Sequence, residues 1–262
     1  MQIDIAKYFM SQGEWKKAQP YADQAAATGA GWAMLAASDC YEGLEDWTKA
    51  EELVRSAAER YDDGKFKWYM WCRRTGHGDL EAAEKLFLKY VETLDDRYSK
   101  EDMTWLMTYY VMSHQADKAV EMVDKLLKPG PNESLAFLKI TLLDAQDKVE
   151  ARDLAIKQFP NKTGPYGQVV NLVADSLAQG DKSSLDERAL KRLMRTMTPV
   201  QQIEILYLVA MFQDKHGDKE GAIKYLQRVS SQAEPKVGLF KTLAWVALRD
   251  RNITPEKPEL KK

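Results

Sequence analysis

The chain has 262 residues, of which 45% are hydrophobic and 30% charged, with a formal net charge of −2. This is the composition of a folded protein, and it lacks the basic excess of a nucleic-acid binder. The length sits near the ~250–300 residues at which single cores stop growing, so it allows one large domain, two ordinary ones, or an array of units. Cys40 and Cys72, the only thiols, are too few and too far apart for a disulfide scaffold or a paired-cysteine zinc site. They suit a reducing compartment such as the cytoplasm. No apolar run reaches the ~18–20 residues of a membrane span, so membrane insertion is not expected. The first fifteen residues carry Asp4, Lys7 and Glu14, which is not the composition of a signal peptide.

Helical periodicity runs along the chain. Seven segments carry an alanine followed one turn later by a core-type residue: Ala18 and Ala22, Ala50 and Val54, Ala83 and Phe87, Ala119 and Val123, Ala151 and Ala155, Ala189 and Leu193, Ala222 and Leu226. Successive first alanines stand 32, 33, 36, 32, 38 and 33 residues apart, a mean period of 34. Such a period marks stacked helix pairs, each exposing an apolar face that the next pair covers.

In chain order, the first unit (1–29) opens on Ile5-Ala6-x-x-Phe9 and turns at Ser11-Gln12-Gly13-Glu14 into a helix led by Trp15. The second (30–63) has Trp47 in that leading place. Its first helix admits two registers, because Trp32 and Tyr41 cannot both hold the expected positions. The third (64–98) carries Trp68-x-x-Trp71-Cys72 and turns at Gly76-His77-Gly78-Asp79. The fourth (99–131) carries Leu106-Met107-x-x-Tyr110. The fifth (132–162) lacks the aromatic and stops early at Pro160. The sixth (163–200) carries Val173-Ala174-x-x-Leu177, and extra turn residues around Lys182-Ser183-Ser184 account for the 38-residue step. The seventh (201–235) carries Leu206-x-x-Val209-Ala210 and turns at His216-Gly217-Asp218. Residues 236–250 repeat the first-helix pattern as Phe240-x-x-Leu243-Ala244, with Lys236, Lys241, Arg249 and Asp250 for a wet face; they are expected to form a lone capping helix. Residues 251–262 form a polar tail broken by Pro255 and Pro258. At the other end Ile3 and Ile5 lie on the helix that would meet an upstream unit. This suggests a chain that begins inside a longer protein, or a terminal repeat open to homo-oligomerisation.

The pattern resembles the tetratricopeptide repeat, W-x2-L-G-x2-Y…A-x3-F…P. Trp68-x-x-Trp71-Cys72-x-x-Thr75 and Leu206-x-x-Val209-Ala210 fit its first half, and the resemblance spans residues 3–249. It implies an all-α fold: a right-handed solenoid of antiparallel helix pairs, about seven repeats and a cap, spanning 1–250 as a single domain. It also implies a concave face lined by the first helix of each pair. Carried over unit by unit, that face holds Lys7, then Tyr69 and Arg73, Thr104 and Thr108, Asn171 and Asp175, and Tyr207 and Met211. Phe66, Glu101 and Glu204 lie one turn earlier, and Trp32 joins them in one of its two registers. Phe66, Tyr69, Arg73, Glu101, Thr104, Thr108, Tyr207 and Met211 are therefore the expected partner-binding residues, the first six as one continuous strip. The cationic clamp with which some family members grip a C-terminal carboxylate is not expected, since Lys7, Arg73 and Asn171 are scattered over distant units.

No catalytic motif is present: no GxGxxG, P-loop, GxSxG or HExxH. His77, His114 and His216 all fall in turns, without a nearby cysteine or carboxylate set to complete a metal site, and are expected to be wet. The carboxylate doublets Glu51-Glu52, Asp62-Asp63 and Asp95-Asp96 read as solvated helix faces. The expectation is a protein or peptide binder with no catalysis, metal or cofactor. Two alternatives stand beside it: the regulatory or substrate-docking half of a larger protein, and pentatricopeptide-like RNA binding, which the net charge and the lack of a regular pair of base-reading residues disfavour.

Overall fold

Alanine where two helices cross lets their backbones approach closely, and here it sets the spacing between layers. Ala6, Ala18, Ala22, Ala50, Ala83, Ala119 and Ala222 are all inaccessible to solvent. A computed structural model of the chain describes residues 2–95, 97–179, 185–232 and 238–256. Among these residues are fifteen helices and no strand. They are α1 (Gln2–Ser11), α2 (Trp15–Ala26), α3 (Gly31–Gly43), α4 (Trp47–Arg60), α5 (Asp62–Thr75), α6 (Leu80–Thr93), α7 (Lys100–Met112), α8 (Ala116–Leu127), α9 (Glu133–Ala145), α10 (Val149–Lys157), α11 (Pro165–Ala178), α12 (Glu187–Met194), α13 (Pro199–Lys215), α14 (Lys219–Ser230) and α15 (Leu239–Arg249). The chain divides into two compact units, Met1–Arg97 and Tyr98–Pro258.

In the first unit each helix packs on the next, from α1 to α6, and α1 also touches α3. Short turns reverse the direction between them. Gly13 and Gly76 take the left-handed conformation that ends α1 and α5 tightly, and Asp46 and Asp79 cap α4 and α6 through the backbone N–H of Lys49 and Ala82. Gly64 is a packing requirement: a Cβ there would stand 2.6 Å from the Ala57 carbonyl oxygen, so α5 crosses the end of α4 closer than any side chain permits. In α3 the register is resolved. Ser38 and Tyr41 are both buried, so Ala37-Ser38 is the packing pair and Tyr41 follows three residues on, its hydroxyl donating to Asp23.

The second unit starts in the same way, with α7 on α8, α8 on α9 and α9 on α10. Then the regularity lapses. Helix α10 buries no residue, and Ala151, expected at a helix crossing, is exposed. In α12 the buried pair is Leu190 and Met194, one residue later than the expected Ala189 and Leu193. The extra turn residues expected around Lys182-Ser183-Ser184 lie outside the described residues. Beyond this weak stretch the chain folds back: α13 packs on α9 as well as on α14 and α15, and α15 reaches α7. Helix α13 is buried on nearly every side, at Ile203, Ile205 through Ala210, Phe212 and Gln213.

Three ionisable groups tie this core together. Asp144, 3% exposed, accepts from Arg152 of α10 at 2.7 Å and pairs with His216 at the end of α13, also at 2.7 Å. Thus His216 is not a wet turn residue. Its ring is tucked against Phe212 and bonded, whereas His114 is exposed and His77 stacks on Trp47 at 4.0 Å. Helix α15 also departs from expectation. Lys241 is not on a wet face; it is 4% exposed and donates to the Gln232 carbonyl. Lys236 lies outside the described residues.

Candidate partner-binding surface

The tetratricopeptide resemblance puts the partner face on the first helix of each pair, and α5, one of these, is closely packed, with seven of its fourteen residues buried. Gly64, Trp68, Trp71, Cys72 and Thr75 are buried on one side, where Arg55 of α4 lies over the Trp68 ring at 5.5 Å. Phe66 and Tyr69 are buried on another, against Phe87 of α6 at ring-centroid distances of 5.3 and 6.1 Å. Phe66 is 8% and Tyr69 2% exposed, so neither offers a surface. The face of α5 that solvent still reaches carries Lys67, Met70, Arg73 and Arg74.

The same correction applies elsewhere. Thr108 is buried and its hydroxyl donates to the Thr104 carbonyl, four residues back in its own helix. Tyr207 is buried beside Phe240, ring centroids 5.6 Å apart, and burial raises its pKa strongly. The strip expected from Phe66 to Thr108 therefore contains three interior side chains. Four expected residues keep access to solvent: Glu101 is exposed, and Arg73, Thr104 and Met211 are half-buried. Lys7, Asn171 and Asp175 are also exposed.

Helix α3 holds a face that sequence reasoning left open at Trp32 and missed at Leu35 and Asp39. With Ala37-Ser38 as its packing pair, Leu35 and Asp39 stand where the tetratricopeptide resemblance would put concave residues, and Trp32 lies one turn earlier. Trp32, Leu35, Asp39 and Glu42 are spaced i, i+3, i+7 and i+10, so they share one helical face. Trp32 is 61% exposed, against 2% for Trp68 and 4% for Trp71. At the far end of the face Glu42 takes both arms of the Arg74 guanidinium at 2.6 Å, which ties α3 to α5. Between these ends stands Asp39. Water reaches its carboxyl, yet the surrounding protein desolvates it, and Glu42 repels its charge. Together they raise its pKa to about 6 against the lowering pull of Arg74 and Lys7. The signal for this face was the register of α3, which Trp32 and Tyr41 left open in the sequence.

In the second unit the interior row is occupied by its own helices, leaving a cleft at each end. One, about 280 Å³, opens among the N-terminal ends of α7, α9, α13 and α15, where Lys100, Thr104, Leu135, Val200 and Glu204 line it. The Glu204 carboxylate accepts from the Tyr166 hydroxyl of α11; desolvation and this carboxylate hold the phenol in its neutral form. The other cleft, about 260 Å³, lies where α7, α13 and α15 end, with His114, Met211 and the Asp214–Arg251 ion pair, 2.6 Å, on its walls. Among the described residues no three histidine, cysteine or carboxylate side chains cluster to hold a metal ion, and no helix is long and apolar enough to cross a membrane.

Fold and surface together define an all-α protein of sequentially packed helix pairs. No protein-family model and no curated protein matches the chain.

Proposed function

We propose that the chain is a non-catalytic, tetratricopeptide-like scaffold that holds a peptide or helix of a partner protein against the inner helices of its first unit. The single observation that carries this reading is Trp32, 61% exposed on α3 beside half-buried Leu35. A tryptophan kept for packing is buried, as Trp68 and Trp71 are. An exposed one offers a large rigid apolar face, of the kind that dominates binding energy at protein interfaces. Leu35 extends it, and Arg74, fixed by Glu42, gives the surface a rigid edge.

The test is site-specific photo-cross-linking. A benzophenone amino acid placed at position 32 should form a discrete protein adduct in cells, and the same group at exposed Lys85 of α6 should not. Equal labelling from both positions, or none from position 32, would refute the reading.

A further inference from the structure

This inference rests on the reading of α3 as the docking surface and specifies the occupant. We infer that the partner segment seats a lysine or arginine at Asp39, about two helical turns from an apolar side chain that covers Trp32 and Leu35.

The charges of this face lead to that conclusion. Glu42 is occupied by Arg74, and Lys67 pairs with Asp63 within its own helix. Among the described residues Asp39 makes no hydrogen bond and no ion pair. The groups that act on it are Glu42 on its own helix, Lys7 on α1 and Arg74 on α5; its charge in turn adds, after burial and Asp23, to the rise of the Cys40 thiol to about 11. Lys7 is also without an ion pair, but it is exposed, and its long stem keeps the ammonium hydrated at little cost. Asp39 has a short stem and cannot move away from Glu42. Among the described residues of this face it is the carboxylate that the fold leaves without a direct hydrogen-bond or ion-pair partner, with Arg74 and Lys7 offsetting its charge only in part. In the free chain a proton relieves it as pH falls toward 6. An occupant's cation relieves it at neutral pH, and an occupant's carboxylate makes it worse.

The spacing is set by α3. Trp32 and Asp39 are seven residues apart, ~10 Å along the helix axis at 1.5 Å per residue. A helical partner matches that with an apolar and a basic residue about seven positions apart. An extended one matches it with about three positions, at ~3.3 Å per residue.

The probe is a random twelve-residue peptide library displayed on phage. It is selected at pH 7.5 on the full chain, with counter-selection on the Trp32→Ala variant, and enriched peptides are synthesised. The inference expects these peptides to carry Lys or Arg at one of the two spacings from a large apolar residue. They should bind Asp39→Asn, shown by its melting curve to be folded, at least tenfold more weakly than the wild-type chain, and should weaken similarly at pH 5. Peptides that depend on Trp32 but show no basic enrichment and bind Asp39→Asn equally well would overturn the inference and leave the scaffold reading standing. Acidic enrichment lost on Lys7→Ala would overturn it in the same way. A selection that yields no Trp32-dependent peptide would overturn both.

Discussion

Tyr69 stacks on Phe87 with ring centroids 6.1 Å apart and planes inclined by 17°. Phe66 meets the same ring from one turn away, at 5.3 Å. The positions on α5 at which the tetratricopeptide resemblance led one to expect a binding face are thus turned inward, and their aromatic side chains pack α5 against α6. Tyr69→Ala should cost about 3–5 kcal/mol of stability, the usual range for truncating a buried aromatic side chain. Urea denaturation reads the loss directly. A variant as stable as the parent would return Tyr69 to the surface.

Arg74 and Glu42 form the two-armed pair that joins α5 to α3, with side chains 14% and 21% exposed. Removing one partner strands the other charge in partly desolvated surroundings. Glu42→Gln should cost about 2 kcal/mol, below the ~3–5 kcal/mol of a fully buried pair. Adding Arg74→Met to that variant should recover part of the loss, because no stranded charge remains. Strict additivity of the two single changes in chemical denaturation would show that the pair is not coupled.

The repeat was legible where small residues are obligatory. Ala18, Ala50, Ala83, Ala119 and Ala222 predict close helix packing, and each is inaccessible to solvent. Ala151 and Ala189 carry the same spacing but are exposed and half-buried, because periodicity cannot say which face of a helix its neighbours will cover. Likewise, no local pattern announces that α13 will lie on α9 or that α15 will reach α7; those contacts join residues far apart in the chain. The surface was less legible than the fold. On α5 the accessible side carries Met70 and Arg74 and not Tyr69, a difference that the pattern of apolar residues does not announce. The exposure of Trp32 depended on the α3 register, which only burial of Ser38 and Tyr41 resolved.

Helix α10 buries nothing of its own, and Arg152 is its charged tie to Asp144. Arg152→Ala should leave Asp144, which is almost fully buried, with His216 alone, and should cost about 2–4 kcal/mol, near the loss expected for breaking a buried pair. Its effect should be local first. Hydrogen exchange should accelerate across 149–157 more than across α13. Uniform acceleration over both helices would contradict this picture.

Asp39 gives the first unit a pH dependence of definite sign. Its folded-state pKa, about 6, stands above the ordinary value of 3.8, so ionising it disfavours the folded state. The penalty is absent below pH 3.8, grows between there and about 6, and is fully present above. Asp39→Asn should therefore stabilise the chain at pH 7.5 and scarcely at all at pH 3.8. Because water reaches the carboxyl, the gain should not exceed about 1 kcal/mol. Paired thermal melts at the two pH values decide it, and a variant less stable than the parent at pH 7.5 would reverse the assignment.

If Trp32 serves a partner and not the fold, its truncation separates the two. Trp32→Ala should melt within a degree or two of the parent, because a side chain 61% exposed contributes little to the core. A calorimetric titration with the partner recovered by cross-linking should show binding weakened by about 2 kcal/mol or more, the scale of an interface hot spot. Unchanged affinity, or a melting point lowered as far as that of Tyr69→Ala, would contradict the account.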